Sequence, residues 1–193
     1  MCIRDSGVSN GDYPNVLSVA SIYELPFGHG KPFFSNAHGF LGEAIHGFQV
    51  EGTYRIQSGQ PITFGNGGTL LTPGTSLASI GNGASLHNAK QWFNTGAFVT
   101  GTTNLLESNL RTFPLRFNNV RQDYQNLLNV GALKKFSIYH ERVNMDVRAE
   151  AINALNHPVF AAPTSDPSSS NFGIITGFGN SSRVLQFAVE GHF

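Results

Sequence analysis

Hydrophobic and polar side chains alternate along five segments of this chain. The clearest run is residues 183–193, where Leu185, Phe187, Val189 and Phe193 fall on one face and Gln186, Glu190 and His192 on the other. Successive side chains of a strand point to opposite sides, so this pattern predicts a ribbon with one apolar and one polar face. Residues 46–57 repeat it, with Phe48, Val50, Gly52, Tyr54 and Ile56 opposed by Gln49, Glu51, Thr53, Arg55 and Gln57. Residues 143–151 do so again, setting Val143, Met145, Val147, Ala149 and Ala151 against Asn144, Asp146, Arg148 and Glu150. These strands approach the roughly 9–11 residues that a tilted strand needs to cross a bilayer.

Two further strands are less regular. Residues 15–25 place Leu17, Val19, Tyr23 and Leu25 together, with Val16 and Ile22 interrupting the polar side. Residues 124–138 place Leu128, Val130, Ala132 and Phe136 on one side, with Lys134 intruding, and Asn129 and Lys135 on the other. A lysine near a strand end can carry its ammonium to an interface along its own methylene stem.

The connections differ in length. Residues 138–143 make a tight link, and a fairly short one begins at 26–32 and continues into a brief predicted helix over 37–45. Residues 60–119 form a long Gly/Thr/Asn-rich excursion, and 157–181 a second one rich in Pro, Ser and Gly. Long structureless loops are uncommon in a compact soluble domain. Short links alternating with long ones match the periplasmic turns and extracellular loops of a membrane barrel. With the C-terminus in the periplasm, parity makes 60–119 and 157–181 extracellular, and the links near 26–45 and 139–142 periplasmic. Tyr23, Phe33, Phe34 and Phe136 are then expected near the periplasmic aromatic girdle. Trp92 and Phe93, deep in the first long loop, are expected to pack it.

Composition agrees with this reading. Charged residues make up 12% of the chain, against about 25% in an ordinary soluble domain. Acids and bases balance at 12 each, so nothing favours nucleic acid or an anionic surface. The 22 glycines and 16 phenylalanines suit a sheet with many turns and aromatic girdles. No apolar run reaches the roughly 20 residues of a membrane helix, so any crossing is made by strands. Cys2 is the one cysteine and forms no intrachain disulfide. The opening Met1-Cys-Ile-Arg-Asp-Ser6 lacks the basic and apolar regions of a secretion signal and looks like translated adapter. Residues 1–11 are accordingly read as a non-native or disordered end, and 12–193 as the domain.

Candidate chemistry is sparse. His29, His38, His46, His87, His140, His157 and His192 show no H-x-x-x-H, H-E-x-x-H or cysteine-partnered spacing, so no metal is expected. Asp146 and Glu150, four apart on one strand, sit roughly 13 Å from each other, too far for an acid/base dyad. With Arg148 between them they read as an ion-pair ladder. The Gly-rich stretches 27–31 and 65–68 lack the strand-to-helix setting of a phosphate loop, and no serine has a G-x-S-x-G setting. Neither an enzyme nor a cofactor is expected.

Several blocks in chain order carry a family likeness: Tyr23-Glu-Leu-Pro-Phe-Gly28, Tyr54-Arg-Ile-Gln-Ser-Gly-Gln-Pro-Ile-Thr63, Trp92-Phe-Asn-Thr-Gly-Ala-Phe98, Arg148-Ala-Glu-Ala-Ile-Asn-Ala-Leu-Asn-His-Pro-Val-Phe160 and the final Phe193. Together they resemble the C-terminal barrel end of TonB-dependent outer-membrane receptors of the Oar-like type, which often carry a carboxypeptidase-regulatory-like domain. The likeness covers about residues 12–193, and the block from Arg148 is its most specific part.

The resemblance implies an all-β fold: about five C-terminal strands of an antiparallel transmembrane barrel of about 22 strands, with two long extracellular loops. It implies import of a large ligand across the outer membrane of a Gram-negative bacterium. The partners would be outer-membrane lipid, the barrel-assembly machinery, a plug domain and further barrel strands outside this chain, and the TonB complex. Leu185, Phe187, Val189 and Phe193 resemble the C-terminal insertion signal of such barrels. Gln49, Glu51, Arg55, Asn144, Asp146, Arg148 and Glu150 would face the lumen. Five strands cannot close alone, because the smallest single-chain bacterial barrels have about eight. A passive barrel or adhesin without energy coupling, and a soluble secreted β-sandwich burying the same faces, are the alternatives.

Overall fold

In the computed structural model, which describes residues 7–28, 30–36, 42, 45–65, 69–82, 86–101, 103, 113–139 and 143–192, the five expected strands are present. They are β1 (Val16–Glu24), β2 (Phe48–Gln57), β5 (Gln125–Tyr139), β6 (Val143–Ile152) and β7 (Val184–His192). Between β2 and β5 in the chain lie two short strands, β3 (Pro61–Thr63) and β4 (Arg116–Arg121). The five long strands form one antiparallel sheet in the order β1-β2-β5-β6-β7, and β3 pairs with β4 in a separate sheet. Residues 1–6, residues 140–142 of the expected tight link, Phe193 and most of the helix expected over 37–45 lie outside the described residues.

The register of the sheet keeps its two faces chemically distinct. Ala132, Lys134 and Phe136 on β5 oppose Ala149, Val147 and Met145 on β6. Those β6 residues oppose Phe187, Val189 and Gly191 on β7. Paired residues share a face, so a continuous apolar surface spans three strands. Phe187 is 78% exposed and Val189 67%, and every residue of β1 and β7 is exposed. Lys134, the apparent intruder, is buried: its Nζ donates to the His46 carbonyl and sits 4.6 and 4.7 Å from the ring centroids of Phe48 and Phe136. The ring faces attract the ammonium, and His46 precedes the first residue of β2, so the side chain carries its charge to a strand end as expected.

Cα proximity divides the chain into two compact units, one of them holding most of the long sheet and the other residues 1–16, 57–125 and 158–180. The second unit has a hydrophobic core of its own. Phe64, fully buried, stacks on Phe98 at 4.9 Å and meets Phe93 edge-on at 5.2 Å. Phe172 closes against Phe93 and Phe98 at 5.2 and 5.4 Å. Ile62, Ile80, Trp92, Ala97, Phe113, Phe117, Val120 and Ile175 complete the cluster. Trp92 and Phe93 therefore pack the loop, as expected. The excursion over 60–119 is more than a loop, however: it contributes β3, β4, two 3-10 turns (Leu77–Ile80 and Thr95–Ala97) and most of this core. Its aromatic residues converge from scattered positions and have no strand or helix period.

The stretch before β1 is tied into the same unit. Arg121 donates from Nη2 to the Asp12 carboxylate at 2.5 Å and from Nη1 to the Asp12 carbonyl at 2.9 Å. Arg116 Nη1 donates to the Val8 carbonyl at 3.3 Å.

Candidate functional site

The polar face of the sheet gathers most of the chemistry that the sequence offers. On β6, Asn144, Asp146, Arg148 and Glu150 occupy alternate positions and stand opposite His192, Glu190, Ala188 and Gln186 of β7. On the other flank, Asp146, Arg148 and Glu150 face Lys135, Leu133 and Gly131 of β5. Beyond β5 lies β2, whose Thr53 hydroxyl oxygen accepts from Asn129 Nδ2 at 3.3 Å. Gln49, Glu51 and Arg55 alternate with their neighbours on that same side of β2.

Three of the seven expected residues meet. Arg148 Nη1 lies 3.2 Å from Glu150 Oε1 and 4.0 Å from Glu51 Oε1. Glu150 also accepts from Gln186 Nε2. The result is a chain of polar groups running across β2, β5, β6 and β7. Asp146 makes no ion pair among the described residues. The ladder expected along β6 is thus half along the strand and half across it. Gln49 and Arg55 share the face.

Gly131 makes the crossing possible. It lies directly under Glu51, and a Cβ there would sit 2.8 Å from Glu51 Cγ and Oε1. This residue was not among the candidates, although a glycine inside a strand signals close approach of a neighbour. Around it lies a hollow of about 370 Å³ lined by Ile22, Glu51, Thr53, Asn129, Gly131 and Glu150. Glu51 and Glu150 give it two carboxylates, and Arg148 offsets part of their charge. Among the described residues no three His, Cys, Asp or Glu side chains gather as metal ligands would.

A second polar constellation holds the chain where β6 ends. Asn153 is buried with φ +52°, a conformation that asparagine tolerates better than most residues. Its Nδ2 donates to the carbonyls of His157 at 3.2 Å and Ser181 at 3.0 Å, and its Oδ1 accepts from His157 N at 3.0 Å. Asn129 Oδ1 accepts from Asn153 N at 3.0 Å, and Asn156 Oδ1 accepts from Arg183 N at 3.0 Å. The Asn-Ala-Leu-Asn-His-Pro block is therefore a clamp that turns the chain out of β6 and back toward β7.

A sheet that leaves its apolar side exposed along β1 and β7 and carries ion pairs on the other side suits a membrane wall. The sequence profile of the outer membrane beta barrel domain matches residues 2–186. The chain belongs to this family. No curated protein and no solved structure matches it. The barrel domain places the protein in the outer membrane of Gram-negative bacteria. No described helix is long and apolar enough to cross a membrane, and the crossing elements of such a domain are strands. The five-stranded sheet has β1 and β7 at its edges. Leu185, Phe187 and Val189 of the expected insertion signal lie on the apolar face of β7; the expectation for Phe193 falls outside the described residues.

Proposed function

We propose that the chain is the C-terminal part of a TonB-dependent receptor that binds a large ligand at the cell surface and imports it. The apolar face of β1, β2, β5, β6 and β7 meets outer-membrane lipid, and the face bearing Glu51, Arg148 and Glu150 looks into the lumen. The observation that carries this reading is that cross-strand network. Charges on β2 and β6 that satisfy one another across the intervening strand fit a wall facing a wet, protein-filled interior, where a plug domain would contact them. The long connections 60–119 and 157–181 leave the same ends of their strands and are extracellular. The links near 26–45 and 139–142 are periplasmic, with Phe27, Phe33 and Phe34 clustered in the first at 6.1 Å ring separations. The plug, the segment that contacts TonB and the remaining strands belong to other parts of the polypeptide. The barrel-assembly machinery inserts the whole, and the role is binding and transport without catalysis or cofactor.

The test is to read the source gene upstream of residue 7. An open frame with a signal peptide, a plug domain and about 17 further strands of a barrel of about 22 is the expected result. A frame with no plug would sink energy-coupled import.

A further inference from the structure

A cavity of about 300 Å³ opens within the loop-borne unit, between residues 57–60, the segment that follows β4 and residues 159–162. Its lining is rich in amides. The side chains of Gln122 and Gln125 border it and make no hydrogen bond among the described residues. Gln60 Nε2 donates to the Tyr13 hydroxyl oxygen, which leaves that hydroxyl's own proton available. Asp123 is the only charged residue in the lining. Its Oδ1 accepts from Tyr124 N and its Oδ2 from Phe160 N, both at 2.9 Å, so the carboxylate is fixed while each oxygen keeps a free lone pair. Gly59 lets residues 57–60 close on this segment, since a Cβ there would overlap the Gln122 carbonyl.

One ring of an aromatic pair borders the same cavity. Phe160 lines it and stacks on Phe178 at 5.9 Å and 17°, and Phe178 is 66% exposed. On its other side Phe160 meets Trp92 edge-on at 6.0 Å, so the exposed ring rests on a braced one. Burying Phe178 in the nearby aromatic core would be favourable, yet it stays at the surface.

These groups select a class of ligand. Amides that both donate and accept, a hydroxyl donor and one carboxylate complement a molecule carrying many hydroxyls. An anion would face Asp123 unopposed, because the guanidinium of Arg121 is occupied by Asp12 and Asn118. An exposed aromatic face matches an apolar C–H face, which a sugar ring presents alongside its hydroxyl edge. We propose that this cavity is a saccharide subsite. Gln122, Gln125, Tyr13 and Asp123 bind the hydroxyls of a neutral sugar unit, and the Phe160–Phe178 pair takes its C–H face. The proposal supplies a ligand class for the receptor reading and rests on it for import alone; binding requires only the loop-borne unit.

The experiment uses the full-length protein in the outer membrane of cells treated with a protonophore, so that binding is read without uptake. Fluorescent neutral oligosaccharides covering α- and β-linked hexoses and pentoses form one arm. Vesicles of purified lipopolysaccharide form a second, separating free sugars from surface glycan, and a neutral Gly/Ser peptide forms a third. Saccharide binding in either of the first two arms is expected. It should weaken about tenfold in the Gln122→Ala/Gln125→Ala double variant, the size of one or two lost hydrogen bonds, and severalfold in Phe178→Ala, with protease resistance of the loops unchanged. Binding of no saccharide, saccharide binding unaltered by both variants, or binding of the peptide alone overturns the proposal. Binding without TonB-dependent uptake in untreated cells would instead remove the receptor reading and leave the subsite standing.

Discussion

Glu51 on β2 and Arg148 on β6 approach to 4.0 Å across the strand that separates them, and the Glu51 side chain occupies the space left over Gly131, the β5 partner of Glu150. Strands two apart in a sheet are about 9.6 Å from each other, and an intervening side chain would ordinarily keep such partners apart. Gly131→Val should therefore displace Glu51 and break the network, at a cost of about 1–3 kcal/mol for a side chain forced into filled space. Ala132→Val, one residue along on the apolar face, should stay within about 0.5 kcal/mol. Urea midpoints of the heat-modifiable folded form of the intact protein read both. Equal midpoints would show that the crossing has no structural consequence.

The two faces predict a second asymmetry. Val147 pairs with Lys134 on one side and Val189 on the other, on the apolar face. Val147→Arg would place a cation against lipid at about 2–4 kcal/mol near the midplane and beside Lys134 as well. Arg148→Val removes a charge from the polar face and leaves Glu51 and Glu150 without their cation. Folded outer-membrane yield should fall further for Val147→Arg than for Arg148→Val. The reverse order would exchange the faces.

The five long strands were legible because period-two alternation is a local property, and each strand carries enough of it to locate its ends within a residue or two. The residues of the polar face were legible for the same reason. Which of them meet was not, because that depends on cross-strand register, and nothing within β6 alone says that Arg148 turns toward Glu51 or that Asp146 does not join. The loop-borne core was harder still. Phe64, Phe98, Phe117 and Phe172 sit at irregular intervals in stretches otherwise rich in Gly, Thr, Ser and Asn, and only the folded chain brings their rings together. The amide-lined cavity beside that core shares the difficulty, since Tyr13, Gln60, Gln122 and Phe160 reach it from four separate segments.

That core makes the loop-borne unit separately vulnerable. Phe64 touches the rings of Phe93, Phe98 and Phe117, and Phe64→Ala should cost about 3–5 kcal/mol, the usual range for a large buried aromatic. The long strands make none of these ring contacts. Brief protease treatment of intact cells should cut the variant within 60–119, while heat-modifiable mobility of the remaining barrel persists. Simultaneous loss of both signals would mean that the sheet depends on this core.

Asn153 should prove the most sensitive position in the turn that leaves β6. It combines a positive φ with side-chain bonds to His157 N, His157 O and Ser181 O. Replacements separate these contributions. Asn153→Gly keeps the backbone conformation and loses the side-chain bonds, leaving buried polar groups unpaired at about 1–3 kcal/mol. Asn153→Ala loses the same bonds and adds the left-handed penalty of about 1–2 kcal/mol. Asn153→Asp keeps an acceptor for His157 N but turns the two donated bonds into contacts between a carboxylate and carbonyl oxygens. Urea midpoints of the folded form should therefore fall in all three, with alanine below glycine. If alanine and glycine match, the backbone conformation contributes nothing, and the clamp is a matter of hydrogen bonding alone.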